Sequence, residues 1–239
     1  MARFKTYCVV TATALASSTI ALPLSLLSRQ TWTGLIAHDF TSYGCRPVIL
    51  IFARETYSPG NMGDKVGPQL SDGLKVIFGP ANVATEGVDY LAAPDTNFLP
   101  LGGPPDGIAA MQVLLRSATT LCPNSAVVAS GYSQGAALSH RAIEGLETGV
   151  KNRIAGVVTF GDTLTLQDGD RILGYPQNKT LIICNTGDVI CDGWLWVVPT
   201  HLDYTRRVPE AVAFLLARIV AAGVRLEDVR GHPVSSSGS

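Results

Sequence analysis

Three observations predict an α/β fold built as a three-layer sandwich, with a central, mostly parallel five-stranded sheet and helices on both faces. Short apolar runs alternate with helical patterns along most of the chain, the order that crossover connections between parallel strands require. The runs are continuously apolar, as expected of strands covered on both sides. Apolar residues make up 46% of the 239 and charged residues only 15%, which suits one α/β domain with a substantial core.

The first run, Val48-Ile49-Leu50-Ile51-Phe52-Ala53, reads as a strand. A Gly/Pro-rich loop over 55–63 precedes a helical pattern over 66–78. Residues 83–92 read as the next strand, with some loop character at Glu86-Gly87, and 94–105 as a loop. A strongly helical stretch over 106–121, a third strand over 126–130 and a helix over 136–148 come next. Two further strands are expected at 154–160 and 180–184. The last helix spans 209–222, with Pro209 in its first turn, where the missing N–H has no intrahelical partner to lose, and Gly223 beyond its end. No repeat or linker divides the chain, so 31–232 is expected to form a single catalytic domain and 233–239 a disordered tail.

A formal net charge of −1 offers no basic excess to neutralise phosphates, which excludes a nucleic-acid partner. Arg3 and Lys5, the uncharged stretch 7–28 and the small-residue triplet Ala14-Leu15-Ala16 read as a secretion signal over 1–20, with cleavage anywhere from 16 to 30. A membrane anchor is the weaker reading, because Ser, Thr and Pro23 interrupt the run and no stop-transfer charges follow; no stable membrane insertion is expected. The expectation is therefore a secreted, extracellular monomer.

Of the cysteines Cys8, Cys45, Cys122, Cys184 and Cys191, removal of the signal discards the first and leaves an even set, consistent with two disulfides in an oxidising compartment. Spacing does not choose among the possible pairings. Metal binding is the rival, but there is no Cys-x-x-Cys and no His at ligand spacing, so neither metal nor cofactor is expected. Asn178-Lys179-Thr180 is a glycosylation sequon that would have to lie on the surface.

Ligands of parallel sheets bind beyond the carboxyl ends of the strands. There, Gly131-Tyr132-Ser133-Gln134-Gly135 matches Gly-x-Ser-x-Gly between a strand and a helix, a turn that raises the serine hydroxyl above the sheet edge. Both glycines are needed, since a Cβ at either would strike the neighbouring strand or helix. The same turn aims the backbone N–H of Gln134 at a reacting carbonyl oxygen.

A serine hydroxyl needs a base. His38 precedes the first strand, His232 lies in the tail, and His140 is two helical turns past Ser133, about 10 Å away. His201, between the last strand and the last helix, remains. For the acid, Asp162 and Asp188 both follow strands. Asp188 is favoured because it lies between Cys184 and Cys191, where a disulfide would close a small ring and hold the carboxylate against the imidazole. The order Ser, Asp, His is that of α/β-hydrolases.

The segments Gly131 to Leu138, Cys184-Asn185-Thr186-Gly187-Asp188-Val189-Ile190-Cys191 and Pro199-Thr200-His201-Leu202-Asp203-Tyr204 resemble fungal cutinases, as do Ile154 to Gly161 and Gly60-Asn61-Met62-Gly63. The resemblance covers about 45–220. It implies a nucleophile Ser133, acid Asp188 and base His201, with disulfides Cys45–Cys122 and Cys184–Cys191. It also implies an oxyanion hole from Thr56 and Gln134, with Asn97 orienting the Thr56 hydroxyl, and acyl contacts at Leu195, Val197 and Leu202. No insertion is long enough for a lid, so the hydrolase type is lidless. One departure stands out: Ala53-Arg54-Glu55-Thr56 resembles the related acetylxylan esterases, where many cutinases have Gly in place of Glu55.

Three functions follow. The leading one is an esterase acting on cutin-type polyester and short- to medium-chain acyl esters, supported by the apolar loop Trp194-Leu195-Trp196-Val197-Val198-Pro199. An acetylxylan esterase of the same fold is the second, and a non-catalytic secreted binding protein the third.

Overall fold

The apolar runs become a five-stranded sheet in the order β2-β1-β3-β4-β5, parallel at every pairing. The computed structural model describes residues 33–230, so the expected signal over 1–20, Cys8, His232 and the tail over 233–239 lie outside the described residues. The strands are β1 (Val48–Ala53), β2 (Val83–Gly87), β3 (Ala126–Tyr132), β4 (Ile154–Phe160) and β5 (Thr180–Ile183). The helices are α1 (Asp39–Tyr43), α2 (Val66–Phe78), α3 (Pro105–Leu121), α4 (Gln134–Glu144), α5 (Thr148–Arg153), α6 (Thr165–Asp168), α7 (Val208–Ala221) and α8 (Leu226–Arg230).

Every residue of β1, β3 and β4 is buried, which explains why their sequences do not alternate. Successive side chains still point to opposite faces. Leu50, Phe52, Val128 and Val158 pack with Leu70 and Leu74 of α2 and Leu215 and Ile219 of α7. Ile49, Ile51, Ala129 and Val157 pack on the other face with Met111 and Leu115 of α3 and Leu138 and Ile143 of α4. Each such aliphatic side chain contributes roughly 1.5–3 kcal/mol by leaving water.

The edge strand β2 is shorter than the 83–92 expected. Val88 N–H still donates to Phe52 O at 2.8 Å, but beyond it the ladder stops, and one backbone bond, Tyr57 N–H to Ala92 O at 2.9 Å, is joined by side-chain bonds. Arg54 Nη2 donates to Tyr90 O at 2.8 Å, and Tyr90 O–H donates to Arg54 O. These bonds replace a ladder, and no short-range pattern announces them. The outer side of β2 is covered by the segment before β1, through Gly87 N–H to Ala37 O at 2.9 Å and Thr41 N–H to the buried Glu86 carboxylate at 3.0 Å. That cover blunts an otherwise open edge. The helix expected over 136–148 starts earlier and breaks into α4 and α5 at Gly145, whose N–H caps Arg141 O at 3.1 Å.

The register brings one residue from each strand end to a common edge: Ala53 faces Gly131, Tyr132 faces Phe160, and Phe160 faces Ile183. The chain segments leaving β1, β3, β4 and β5 therefore start side by side. β1 and α4 also approach closely, so that a Cβ on Gly135 would sit 2.1 Å from Ala53 O. Backbone atoms cannot yield, so Gly135→Ala should cost about 3 kcal/mol or more in urea unfolding. Gly149→Ala, with open space around it in α5, should be neutral or stabilising by up to about 1 kcal/mol. Equal stability of the two variants would show that the β1–α4 approach is looser than described.

Candidate active site

Strand β3 runs to Tyr132 and α4 begins at Gln134, so Ser133 alone makes the turn, at φ 55° and ψ −119°. A side-chain-bearing residue at positive φ is costly and persists only where its surroundings enforce it. Ser133 N–H donates to Phe160 O at 2.8 Å, anchoring the turn to β4. Ser133 remains partly exposed. Gln134 is the first helical residue, so its N–H has no intrahelical carbonyl to bond and points along the positive end of α4.

His201 lies in a short 3-10 turn, Pro199–Leu202, and its Nε2 is 2.9 Å from Ser133 Oγ. Its Nδ1 is 2.8 Å from Asp188 Oδ2. Asp188 and His201 are each 2% exposed. Asp162, the other candidate acid, is not part of this cluster: its Oδ2 is 2.9 Å from His140 Nδ1, and both residues are fully buried. His140 Nε2 also lies 3.2 Å from Asp168 Oδ2, without the alignment of a hydrogen bond.

Several side chains unassigned by sequence reasoning complete the cluster. Tyr204 O–H donates to Asp188 Oδ2 at 2.6 Å, and Ile190 N–H donates to Asp188 Oδ1 at 3.1 Å. Burial pushes the Tyr204 phenol well above its ordinary value, and the bond to Asp188 adds to the effect, so it stays a donor. Tyr132 O–H donates to His201 O at 2.5 Å, and its phenol is likewise raised, mainly by burial. Asn185 Nδ2 donates to Thr200 O at 2.8 Å and to Asp203 O at 3.0 Å, tying the acid loop to the histidine loop. The usable signal was the rule that a buried tyrosine hydroxyl needs a partner, since Tyr132 and Tyr204 both stand inside the quoted motifs.

Cys184 and Cys191 are bonded, with S–S 2.05 Å, and enclose Asp188 in a ring; Cys45 and Cys122 are bonded at 2.02 Å. Gly161, at φ +55°, backs the imidazole so closely that a Cβ there would sit 2.8 Å from His201 Cε1.

On the opposite side of Ser133, Asn97 Nδ2 donates to Thr56 Oγ1 at 3.1 Å. The Thr56 oxygen thus accepts, while the acceptor recorded for its own hydrogen is Asn97 Oδ1, at a long 3.5 Å. The Asn97 amide is oriented by Gln134 Nε2, which donates to Asn97 Oδ1 at 2.9 Å and also reaches Ala93 O and Thr96 Oγ1. Leu195 lines a cleft of about 250 Å³ with Asn97, Phe98, Leu99, Thr163 and Gln167. Val197 and Leu202 are exposed and do not line that cleft. Trp194, Trp196, Phe98 and Leu166 are also largely exposed. Two larger clefts, of about 500 and 400 Å³, open at the other end of the strands around Asn124 and Gly223, and neither is lined by Ser133, His201, Asp188, Thr56 or Asn97. No cluster of potential metal ligands occurs among the described residues, and none of their helices is long and apolar enough to cross a membrane.

The family model described as cutinase matches residues 44–219. The chain is 48% identical over 205 residues to cutinase CUT2 of Pyricularia oryzae, covering 86% of this chain and 95% of that relative. A Trichoderma reesei cutinase solved with a phosphonate inhibitor matches with a TM-score of 0.70 at 32% identity, over 78% of this chain and 80% of its own. A solved acetyl xylan esterase shares the fold, with a TM-score of 0.55 at 19% identity, over 73% of this chain and 99% of its own.

The ring around Asp188 generates a test. Loop-closure entropy for so short a ring is worth about 2.5 kcal/mol. A Cys184→Ala/Cys191→Ala variant should lose that much stability. Its esterase turnover, measured well below its Tm, should fall further, because Asp188 loses its fixed seat. Full turnover at low temperature would mean the bond serves stability alone.

Proposed function

The chain belongs to the cutinase family and is a carboxylic ester hydrolase of the serine type, and from that premise we propose that Ser133, His201 and Asp188 perform its chemistry on acyl esters and cutin-type polyester. The observation that carries this reading is the unbroken contact chain from Ser133 Oγ through His201 to Asp188, with 2.9 and 2.8 Å steps. Ser133 Oγ attacks the ester carbonyl while His201 Nε2 takes its proton. Asp188, held by Tyr204 and Ile190, keeps Nδ1 as the protonated nitrogen and stabilises the imidazolium. The carbonyl oxygen, now negative, is met by the N–H of Gln134 and the hydroxyl and N–H of Thr56, with Asn97 presetting the hydroxyl. Collapse expels the alcohol, protonated by His201, and leaves an acyl-Ser133. Water then attacks with His201 again as base, releasing the acid and restoring the serine.

The exposed apolar residues near His201 support an acyl or polyester substrate. Leu195, Val197 and Leu202 line the path of the acyl chain, and no metal or cofactor takes part. Ser133 is open enough for a polymer surface to reach. The enzyme acts outside the cell as a secreted monomer, a setting in which its two disulfides persist. The second reading, deacetylation of xylan, is favoured by one observation, the Ala53-Arg54-Glu55-Thr56 segment.

Two experiments test the proposal. Ser133→Ala and His201→Ala should each lower turnover on the order of 10⁴- to 10⁶-fold, and the double variant should be little worse, because the groups act as a unit. Asp188→Asn should be severe but milder. Asp162→Asn should keep most turnover and lower Tm, since Asp162 is committed to His140. A damaged turnover in Asp162→Asn with an intact one in Asp188→Asn would reverse the choice of acid.

The acyl series separates the two substrates. Each methylene that enters an apolar groove contributes up to ~0.8 kcal/mol, about fourfold in kcat/KM if realised in the transition state. Rates should rise from acetate to butyrate or hexanoate and then level, and Val197→Ser and Leu202→Ser should flatten the rise. A series that peaks at acetate, with both substitutions silent, would select the acetylxylan reading.

A further inference from the structure

Glu55 directly precedes Thr56 in the segment leaving β1, yet it is only 6% exposed, and none of the chemistry above uses it. A buried carboxyl group is expensive unless it is partnered or neutral. Its Oε1 accepts the Ser58 hydroxyl at 3.1 Å, closer than the other acceptor of that hydroxyl, Asp64 Oδ1 at 3.3 Å, and its main-chain carbonyl accepts the Ser58 N–H at 3.3 Å. Glu55 and Ser58 are thus joined twice, by backbone and by side chain, across a four-residue turn with Thr56 and Tyr57 at its tip.

That tip is strained. Tyr57 has φ 61°, a region that costs a residue with a bulky side chain roughly 1–3 kcal/mol. The bonds from Tyr57 N–H to Ala92 O at 2.9 Å and from Arg54 Nε to Ser58 O at 2.8 Å hold the turn from outside. The Glu55 side chain holds it from beneath. Its second oxygen, Oε2, is buried without a hydrogen-bond partner, against Gly63. Asp64 and Lys65, just after Gly63, act on the carboxyl, and the carboxyl in turn helps to raise the phenols of Tyr90 and Tyr132. Burial raises the Glu55 carboxyl above its ordinary value of 4.5, against the lowering effect of Ser58 and Lys65. Glutamine keeps the shape of this side chain and the Oε1 acceptor that Ser58 uses.

We propose that Glu55 is a positioning residue for the oxyanion side of the site: by clamping Ser58 it fixes the turn that presents Thr56 to the developing oxyanion. The inference rests on the oxyanion role proposed for Thr56. Asn97 sets the rotation of the Thr56 hydroxyl, whereas the turn sets where that hydroxyl stands. A displacement of about 1 Å at such a donor is enough to lower turnover by up to a hundredfold.

The test is steady-state hydrolysis of p-nitrophenyl butyrate, with each variant assayed well below its Tm. Glu55→Ala and Ser58→Ala, which break the clamp from opposite ends, should each lower kcat about tenfold, with KM changed less than twofold. Glu55→Gln should retain most of kcat. Thr56→Ala should lower kcat about a hundredfold, and adding Glu55→Ala to it should cost clearly less than Glu55→Ala costs alone, since only the N–H of residue 56 is left for the turn to place. A merely structural glutamate would not behave so, because its loss would persist in full whether or not the Thr56 hydroxyl is present. Should Glu55→Ala fold poorly, Ser58→Ala carries the same comparison. Unchanged kcat in the clamp variants beside a crippled Thr56→Ala overturns the clamp and leaves the oxyanion assignment standing. Undiminished kcat in Thr56→Ala overturns the oxyanion assignment and the clamp together.

Discussion

Ser133 is held at a backbone conformation that an L-residue avoids, and much of the site follows from what enforces it. On one side is β3, buried at every position and paired with β1 and β4. On the other is α4, which starts at the next residue and packs so closely over β1 that only glycine fits at 135. Neither element can shift without opening the core, so the strain is stored where the hydroxyl must project. The same turn leaves the first N–H groups of α4 unpaired at the site, so one constraint supplies both a raised nucleophile and a ready donor for negative charge.

Asp188 and His201, the proposed acid and base, are fixed differently, by polar groups. Around Asp188 the imidazole, the Tyr204 hydroxyl and the Ile190 N–H fill the carboxylate's accepting positions. Tyr132 reaches from the nucleophile strand to His201 O, and Asn185 spans the acid and histidine loops. Low dielectric makes each of these bonds stronger and each missing one costlier, so the segments that carry Asp188 and His201 are tied at several points although neither lies in a strand or an α-helix. The side proposed for the oxyanion repeats the scheme: Gln134 bonds Asn97, Asn97 bonds Thr56, and Glu55 bonds Ser58 across the turn.

The chain contains a second histidine–aspartate pair that takes no part in this. His140 and Asp162 lie at ordinary hydrogen-bond distance, fully buried, and join α4 to the segment after β4. With no nucleophile beside it, the same pair of groups becomes a structural tie. It also explains why Asp162, which leaves the sheet at the correct edge, is not available to His201.

Elements with strong local signals were legible in the sequence. The expected helix over 66–78 has those bounds in the structure, and β1 and β4 also match, because continuous apolar runs and helical periodicity are local properties. The Gly-x-Ser-x-Gly turn was equally plain, since it needs only the order strand, serine, helix. The sequence also favoured Asp188 over Asp162, through the ring its cysteines would close. What it could not supply was the reason from the rival's side, for His140 and Asp162 are 22 positions apart and meet only when α4 packs beside β4. The early end of β2, the cover over its edge, the tyrosines behind His201 and the turn beneath Thr56 were hidden for the same reason. Each is a bond between segments that have no pattern in common, and its existence depends on which strands become neighbours. Periodicity along the chain determines the elements, whereas the partners of a buried polar atom are decided only once the sheet has brought distant segments within 3 Å of each other.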